Sequence, residues 1–329
     1  MRYAHPGTPG AIVSFKSRYG NYIGGEFVAP VKGQYFTNTT PVTGEVIAEF
    51  PRSTAEDVDR ALDAAHAAAD AWGRTSVQDR SLILLKIADR IEQNLELLAV
   101  MINKLCPSVE AALADIPDGA TIMIGGFGTA GMPAELIDGL IAQGARELTI
   151  INNNAGNGET GLAALLKARR VRKIVCSFPR QADSYVFDAL YRAGEIELEL
   201  VPQGNLAERI RAAGAGIGGF FCPTAYGTQL AEGKETRIID GKPYVFELPL
   251  TADYALIKAL RADRWGNLVY RKTARNFGPV MAMAAKCTIA QVSETVELGE
   301  LDPEHIVTPG IFVKRVVQVA AAQPAKEAA

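Results

Sequence analysis

The residues with the strongest claim on chemistry lie in one run, Asp118-Gly-Ala-Thr-Ile-Met-Ile-Gly-Gly-Phe-Gly-Thr-Ala-Gly-Met-Pro133. It reads as a turn, a short buried strand over Thr121 to Ile124, a glycine loop, and a helix over Ala134 to Ala142 opened by Pro133. Glycines at 125, 126, 128 and 131 let the backbone turn sharply and approach a ligand, because no Cβ stands in the way. Proline suits the first helical turn, where its missing N–H would have found no partner. Free N–H groups at the start of that helix point back at the loop, which suits a carboxylate or phosphate. The spacing from Gly126 to Gly131 also satisfies G-x-G-x-x-G and invites a dinucleotide reading. Such a site wants an acidic residue about 20 positions on, closing the second strand, to hold the ribose. Here the second strand, Glu147-Leu-Thr-Ile-Ile151, ends in Asn152, Asn153 and Asn154, so the acid is missing and NAD is the weaker reading.

Other polar side chains stand where a ligand could reach them. Asn153 and Asn154 end a strand, the place where open α/β sheets bind ligands, although asparagine also serves there as a turn former. Gln203, on the loop after a strand in Val-Pro-Gln-Gly, carries an amide N–H able to face a developing oxyanion; its plainer role is a contact to backbone or water. Arg261, Arg264, Arg271, Lys272 and Arg275 form a basic cluster that either meets an anionic ligand or is a solvated face or subunit contact. Glu159 and Glu294 read as surface carboxylates. Four scattered cysteines without a C-x-x-C read as reduced, mostly buried thiols, and the histidines at 5, 66 and 305 have no ligand spacing, so no metal is expected.

The elements that position these residues follow from the pattern of apolar positions. The 329 residues suffice for two domains, and a net charge of −3 gives no reason to expect nucleic acid or a membrane surface. No run is long and apolar enough to span a bilayer, and the first residues lack the apolar core of a secretion signal, so a cytoplasmic protein is expected. After a Pro/Gly-punctuated lead-in to about residue 20, strands are expected over Tyr22 to Val28, Tyr35 to Thr39 and Val46 to Phe50, with a turn at Thr43-Gly44. Ser53-Thr54 with Asp57 signals a capped helix whose apolar face is Val58, Ala61, Leu62, Ala65 and Ala69. A second helix starts near Val77 and carries Leu82, Leu85, Ile87, Ile91, Leu95 and Leu98. From Met101 onward β and α segments alternate at tight spacing: helices over 108–116, 161–168, 182–193 and 205–213, strands over 173–177, 196–201, 236–239, 244–246, 254–257, 288–292 and 311–319. That alternation predicts an α/β fold, a mostly parallel sheet wrapped by helices, preceded by a partial β-hairpin plus two-helix segment. The expected divisions are 1–100, 101–319 and a frayed tail over 320–329.

The sixteen-residue run is similar to the alpha-subunit signature of family I CoA-transferases: Asp-Gly, three apolar residues, Gly-Gly-Phe, then Gly and Pro at the required offsets. The likeness extends over 101–319 through Asn152-Asn-Asn-Ala-Gly-Asn-Gly158, Ser177-Phe-Pro-Arg180, Val201-Pro-Gln-Gly-Asn-Leu-Ala-Glu-Arg-Ile210, Arg264-Trp-Gly-Asn-Leu-Val-Tyr270 and Leu301-Asp-Pro-Glu-His-Ile-Val-Thr-Pro-Gly310. It implies an open α/β fold and transfer of CoA from succinyl-CoA to a 3-oxo acid, 3-oxoadipate before acetoacetate. It also implies that Gly125, Gly126, Phe127, Gly128, Thr129, Ala130 and Gly131 cradle CoA or the acyl group, and that Gln203, with Asn153 and Asn154, serves the oxyanion. The thioester is a substrate and no cofactor is permanently bound. In the family a glutamate in Ser-Glu-Asn-Gly on a separate beta chain is the nucleophile. Here Ser293-Glu294 is followed by Thr295-Val296, so the chain is expected to be inert alone and to act in an A2B2 heterotetramer. Residues 21 to about 100 resemble instead the N-terminal edge of the aldehyde dehydrogenase superfamily, through Tyr22-Ile-Gly-Gly-Glu, Thr40-Pro-Val-Thr-Gly-Glu-Val and Asp57-Val-Asp-Arg-Ala-Leu with Ala71-Trp72. That family's cofactor strands, nucleophilic cysteine and general base lie later and are not expected here, so this segment is expected to be dispensable and Met101 to mark an ancestral start. The competing readings are an NAD-linked aldehyde dehydrogenase fragment and a non-catalytic product of fused frames.

Overall fold

The computed structural model describes residues 14–39, 46–94 and 104–319, and the chain divides into two units, Met1–Asn103 and Lys104–Ala329. The change of pattern expected at Met101, the turn at Thr43-Gly44, Leu95, Leu98 and the tail over 320–329 lie outside the described residues.

In the first unit, β1 (Asn21–Ile23) and β2 (Glu26–Val28) form a hairpin. Its turn is Gly24-Gly25, both at positive φ, where a side chain would be strained. β3 (Tyr35–Thr39) pairs antiparallel with β4 (Val46–Pro51). α1 (Ala55–Gly73) starts after Thr54, and the buried Asp57 accepts the Thr54 and Val31 N–H groups, each at 2.8 Å. The expected capping box therefore also ties the helix to the loop after β2. α2 (Val77–Gln93) starts from Ser76, whose hydroxyl accepts the Asp79 N–H at 3.0 Å. The apolar stripes of both helices lie open among the described residues: Val58, Leu62, Leu82, Leu85, Ile87 and Ile91 are all half-exposed or more.

The second unit is built on one sheet. In chain order its elements are β5 (Leu105–Cys106), α3 (Val109–Leu113), β6 (Thr121–Ile124), α4 (Ala134–Gln143), β7 (Leu148–Ile151), α5 (Leu162–Lys167), β8 (Val171–Cys176), α6 (Tyr185–Arg192), β9 (Glu197–Leu200) and α7 (Gln203–Gly214). A small antiparallel sheet follows, β10 (Phe220–Cys222), β11 (Thr236–Ile239) and β12 (Lys242–Glu247), with β12 in the middle. The chain then returns to the main sheet with β13 (Ala252–Asp263), β14 (Leu268–Val269), α8 (Gly278–Ala284), β15 (Ala285–Val296) and β16 (Arg315–Gln318). The strand order is β5-β16-β15-β13-β6-β7-β8-β9, parallel at every junction, with β14 folded back antiparallel on β13. Parallel strands covered on both faces need continuous apolar runs, and Ile122, Met123, Ile124, Ile150, Ile151, Leu256, Ile257, Ile289 and Ala290 are all fully buried.

Going outward from β6 the chain builds β7, β8 and β9 on one side, and later β13, β15 and β16 on the other. The order of strands thus reverses between β6 and β13. Open α/β sheets bind ligands at such a point, outside the carboxyl ends of the strands.

Several elements differ from expectation. β13 runs twelve residues, beyond the four of 254–257, because its whole length lies beside β15. The last strand covers Arg315–Gln318 and not 311–319, since Gly310–Phe312 is a 3-10 turn. α8, seven residues opened by Gly278-Pro279 with Met281 and Ala282 buried, has no polar face to give it a helical period.

One ion pair joins the last strand to the end of α3. The buried Arg315 donates from Nη1 and Nη2 to both oxygens of Asp115, at 2.6 and 2.7 Å, and from Nη1 to the Ala112 carbonyl at 2.8 Å. The Arg315 hydrogen bond holds the Asp115 carboxyl below the ordinary carboxylate range. A carboxylate depressed by folding contributes stability that is complete above its unfolded pKa of about 3.9 and is lost as the pH falls through the lower folded value. Asp115→Asn should therefore cost about 1–2 kcal/mol at pH 7, less than for an enclosed pair because half of the Asp115 side chain is in water. Urea unfolding should show the gap between parent and variant narrowing below about pH 4; a gap independent of pH would contradict the assignment.

Candidate functional site

The glycine loop leaves the sheet at its carboxyl edge. The Gly125 N–H still donates to the Leu256 carbonyl of β13 at 2.9 Å, so the loop begins at the strand reversal. It closes into a tight turn in which the Phe127 N–H meets the Ala130 carbonyl at 3.0 Å and the Ala130 N–H meets that of Phe127 at 3.2 Å. Gly131 has φ +75, and a Cβ there would lie 2.3 Å from the Ala274 carbonyl oxygen, so the position admits only glycine on both counts. Among the described residues the N–H groups of Gly128, Thr129 and Gly131 have no partner, and they are the donors this loop can offer.

The helix behind it differs from expectation. Pro133 is the cap residue just before α4 and not its first residue. The Ala134 N–H goes to the Met132 carbonyl at 3.0 Å, and the Leu136 N–H to Oε1 of the buried Gln291 at 3.3 Å. Gln291 in turn donates to the carboxylate of Glu135 in the first helical turn. The N–H groups of Ala134 and Leu136 are thus taken from within, and the Glu135 carboxylate stands in the first turn, so an incoming anion would meet the loop N–H groups before the helix.

The three asparagines after β7 divide their roles. The fully buried Asn152 donates from Nδ2 to the Ile124 carbonyl at 2.6 Å and so ties the ends of β6 and β7 together. Asn154 folds back on its own loop: its N–H donates to Asn152 Oδ1 and its Oδ1 accepts the Gly156 N–H, both at 2.9 Å. This is asparagine turn chemistry, and it leaves the enclosed Asn154 Nδ2 without a partner among the described residues. The Asn153 side chain reaches the other way, toward β8 and α7. Its Oδ1 lies 2.9 Å from the Ser177 hydroxyl after β8 and accepts Gln203 Nε2 at 3.0 Å. Gln203 is not on a loop: it is the first residue of α7, after Pro202. With both lone pairs of its Oδ1 taken, Asn153 must present Nδ2 as a donor, and Gln203, exposed, keeps its second amide hydrogen. Asn153 and Gln203 thus come together as one hydrogen-bonded unit, and Asn154 stands apart from it.

The remaining candidates sort by surroundings. Glu159 lies 3.0 Å from Lys167, which holds its carboxyl below the usual range, so it is a paired surface carboxylate. Glu294 is an exposed residue of β15 beside Arg261 in register. The basic cluster splits: Arg261 and Arg264 belong to the end of β13 and the turn after it, while Arg271, Lys272 and Arg275 are exposed on and beside a 3-10 turn, Lys272–Arg275. That turn abuts the glycine loop through Ala274 and through Asn276, which no sequence signal marks. Two half-exposed phenyl groups, Phe127 on the loop and Phe178 after β8, give this edge apolar surface. In Arg264-Trp-Gly-Asn, the buried Asp263 accepts the N–H groups of Trp265 at 2.9 Å and Asn267 at 3.0 Å, so this run is a braced turn. No helix among the described residues is long and apolar enough to cross a membrane.

Known proteins resemble the two parts of the chain differently. The coenzyme A transferase family model matches residues 107–319. The aldehyde dehydrogenase family model matches residues 27–130, running past the expected limit near 100 into β6 and the glycine loop. The chain is 76% identical over 222 residues to the A subunit of 3-oxoadipate CoA-transferase from Pseudomonas putida, covering 68% of this chain and 96% of that one. It is 53% identical over 209 residues to the A subunit of succinyl-CoA:3-ketoacid coenzyme A transferase from Xanthomonas campestris, covering 63% and 86%. Among solved structures, a variant of the decarboxylase AibA/AibB matches with a TM-score of 0.57 at 29% identity, covering 66% of this chain and 83% of that one. A decarboxylase on the same fold means that the fold does not by itself choose the reaction.

Proposed function

The chain belongs to the coenzyme A transferase family, and from that premise we propose that it acts as the A-type (alpha) component of a heteromeric enzyme that moves CoA from succinyl-CoA to a 3-oxo acid, 3-oxoadipate ahead of acetoacetate. The observation that carries this reading is the joined amide pair of Asn153 and Gln203, on the same sheet edge as the glycine loop. Attack of a carboxylate on a thioester carbonyl places negative charge on the carbonyl oxygen. Asn153 Nδ2 and the second hydrogen of Gln203 Nε2 are fixed donors of the kind that lowers such a barrier. The free N–H groups of Gly128 and Thr129 suit the carboxylate or carbonyl of the acyl group. The attacking carboxylate comes from a partner chain bearing Ser-Glu-Asn-Gly, because Glu159 is bound to Lys167 and Ser293-Glu294 is followed by Thr295-Val296 in place of Asn-Gly. CoA arrives and leaves as substrate, the working assembly is A2B2, and the compartment is the cytoplasm. The 76% identity to the 3-oxoadipate enzyme's subunit, against 53% to the 3-ketoacid enzyme's, favours the six-carbon acceptor.

The test is reconstitution. The purified chain alone should transfer nothing. Mixed with a beta chain it should form thioester on 3-oxoadipate, dependent on succinyl-CoA, faster than on acetoacetate. A chain starting at residue 101 should assemble and react equally well. Turnover by the lone chain would overturn the division of labour, and NAD-dependent aldehyde oxidation would overturn the reaction.

A further inference from the structure

The side chain that holds the glycine loop in place comes from far along the chain. Asn276 follows the 3-10 turn Lys272–Arg275. Its Oδ1 accepts the N–H groups of Gly126 at 3.2 Å and Phe277 at 2.7 Å. Its Nδ2 donates to the carbonyls of Ala130 at 2.9 Å and Thr273 at 3.0 Å. Both lone pairs and both hydrogens of one carboxamide are therefore used. Two of the four bonds fall on the glycine loop, at its entry (Gly126) and near its exit (Ala130), and the other two fall on the Asn276 turn itself. The loop's internal pair, Phe127 with Ala130, sets the shape of its turn. Asn276 sets where that turn sits relative to the sheet.

We infer that Asn276 is a positioning residue: its carboxamide holds the loop so that the Gly128 and Thr129 N–H groups face the acyl thioester, and it governs substrate binding without touching substrate. The inference rests on the reading of this loop as the substrate cradle. No other side chain reproduces the arrangement. Alanine loses all four bonds. Aspartate keeps the acceptors for Gly126 and Phe277 but turns an ionised oxygen toward the carbonyls of Ala130 and Thr273, and only its protonated form restores one donor there.

The experiment uses the assembled enzyme and compares the parent with Asn276→Ala and Asn276→Asp. Hydrogen exchange over residues 125–131 reads the positioning itself. The Gly126 amide should exchange about tenfold faster or more in N276A, because the acceptor that holds it is gone. Steady-state kinetics should show KM for the CoA thioester raised about tenfold or more, with kcat lowered less. N276D keeps the acceptor for the Gly126 N–H, so exchange at Gly126 should stay within a few-fold of the parent, whereas KM for the CoA thioester should still rise several-fold because the Ala130 carbonyl loses its donor and faces an ionised oxygen. A merely structural role would move exchange and KM in step in both variants. Unchanged exchange at Gly126 in a folded N276A, or a parent-like KM in N276A, would overturn the inference. If the parent complex itself transfers no CoA, the functional reading fails, while the exchange measurement still decides whether Asn276 holds the loop.

Discussion

Replacing Gln203 by alanine lowers kcat of the assembled enzyme about a hundredfold or more and leaves KM for succinyl-CoA within a few-fold of the parent. On the proposed reading this is the expected result, because Gln203 would face the carbonyl oxygen only as that oxygen gains charge. Its Nε2 is held by Asn153 Oδ1 at 3.0 Å, which fixes one hydrogen and aims the other. A preorganised donor of this kind contributes about 3 kcal/mol to a tetrahedral transition state and little to the ground state. The position is exposed at the start of α7 and alanine is a good helix former, so the melting temperature should hardly move. Gln203→Glu is the informative companion: it keeps length and shape but sets a carboxylate against Asn153 Oδ1 and the oxyanion, and should be at least as damaging. Parent-like kcat in Q203A, with the beta chain present, would remove Gln203 from the reaction.

The parts of this site that are legible in the sequence are those fixed by neighbours in the chain. The strand Thr121–Ile124 and the glycine loop can be read whole, since residues without side chains at 125, 126, 128 and 131 have few other uses between a strand and a helix. The start of α7 is hidden because Pro202, Gln203 and Gly204 look like a loop, whereas Pro202 caps the helix and Gln203 opens it. Asn153 and Asn154 are alike in sequence, and sequence alone assigns them one role. They differ only in what the next strands bring: Ser177 and Gln203 reach Asn153, while Asn154 is closed over by its own loop. Asn276 carries no local signal, because its partner at Gly126 lies 150 residues earlier. The same blindness works in the other direction in the first unit. The stripes of α1 and α2 have helical period, yet Leu82, Leu85 and Ile91 remain at least half-exposed, because period reports an apolar face and not what covers it.

The contact between the glycine loop and the Asn276 turn can be probed from its other side. Gly131→Ala places a Cβ 2.3 Å from the Ala274 carbonyl oxygen and 2.9 Å from Asn276 Nδ2, at a φ of +75. The left-handed backbone costs about 1–2 kcal/mol for a residue with a Cβ. The overlap adds about 1–3 kcal/mol, because the nearest atom belongs to backbone and cannot swing away. Gly128→Ala is the control: its φ is +61, but nothing lies within 4 Å of the added carbon, so it bears the backbone cost alone. G131A should therefore unfold in urea at lower stability than G128A by about 1–3 kcal/mol, and kcat/KM should fall about a hundredfold further, since the displaced turn takes the Asn276 bonds with it. The two ways of breaking the contact should also be non-additive. Once alanine at 131 has pushed the turn off the loop, Asn276→Ala has little left to remove, so the double variant should resemble G131A alone. Full additivity would mean that the loop and the turn act on the site independently, and the clamp would lose its claim to hold the cradle.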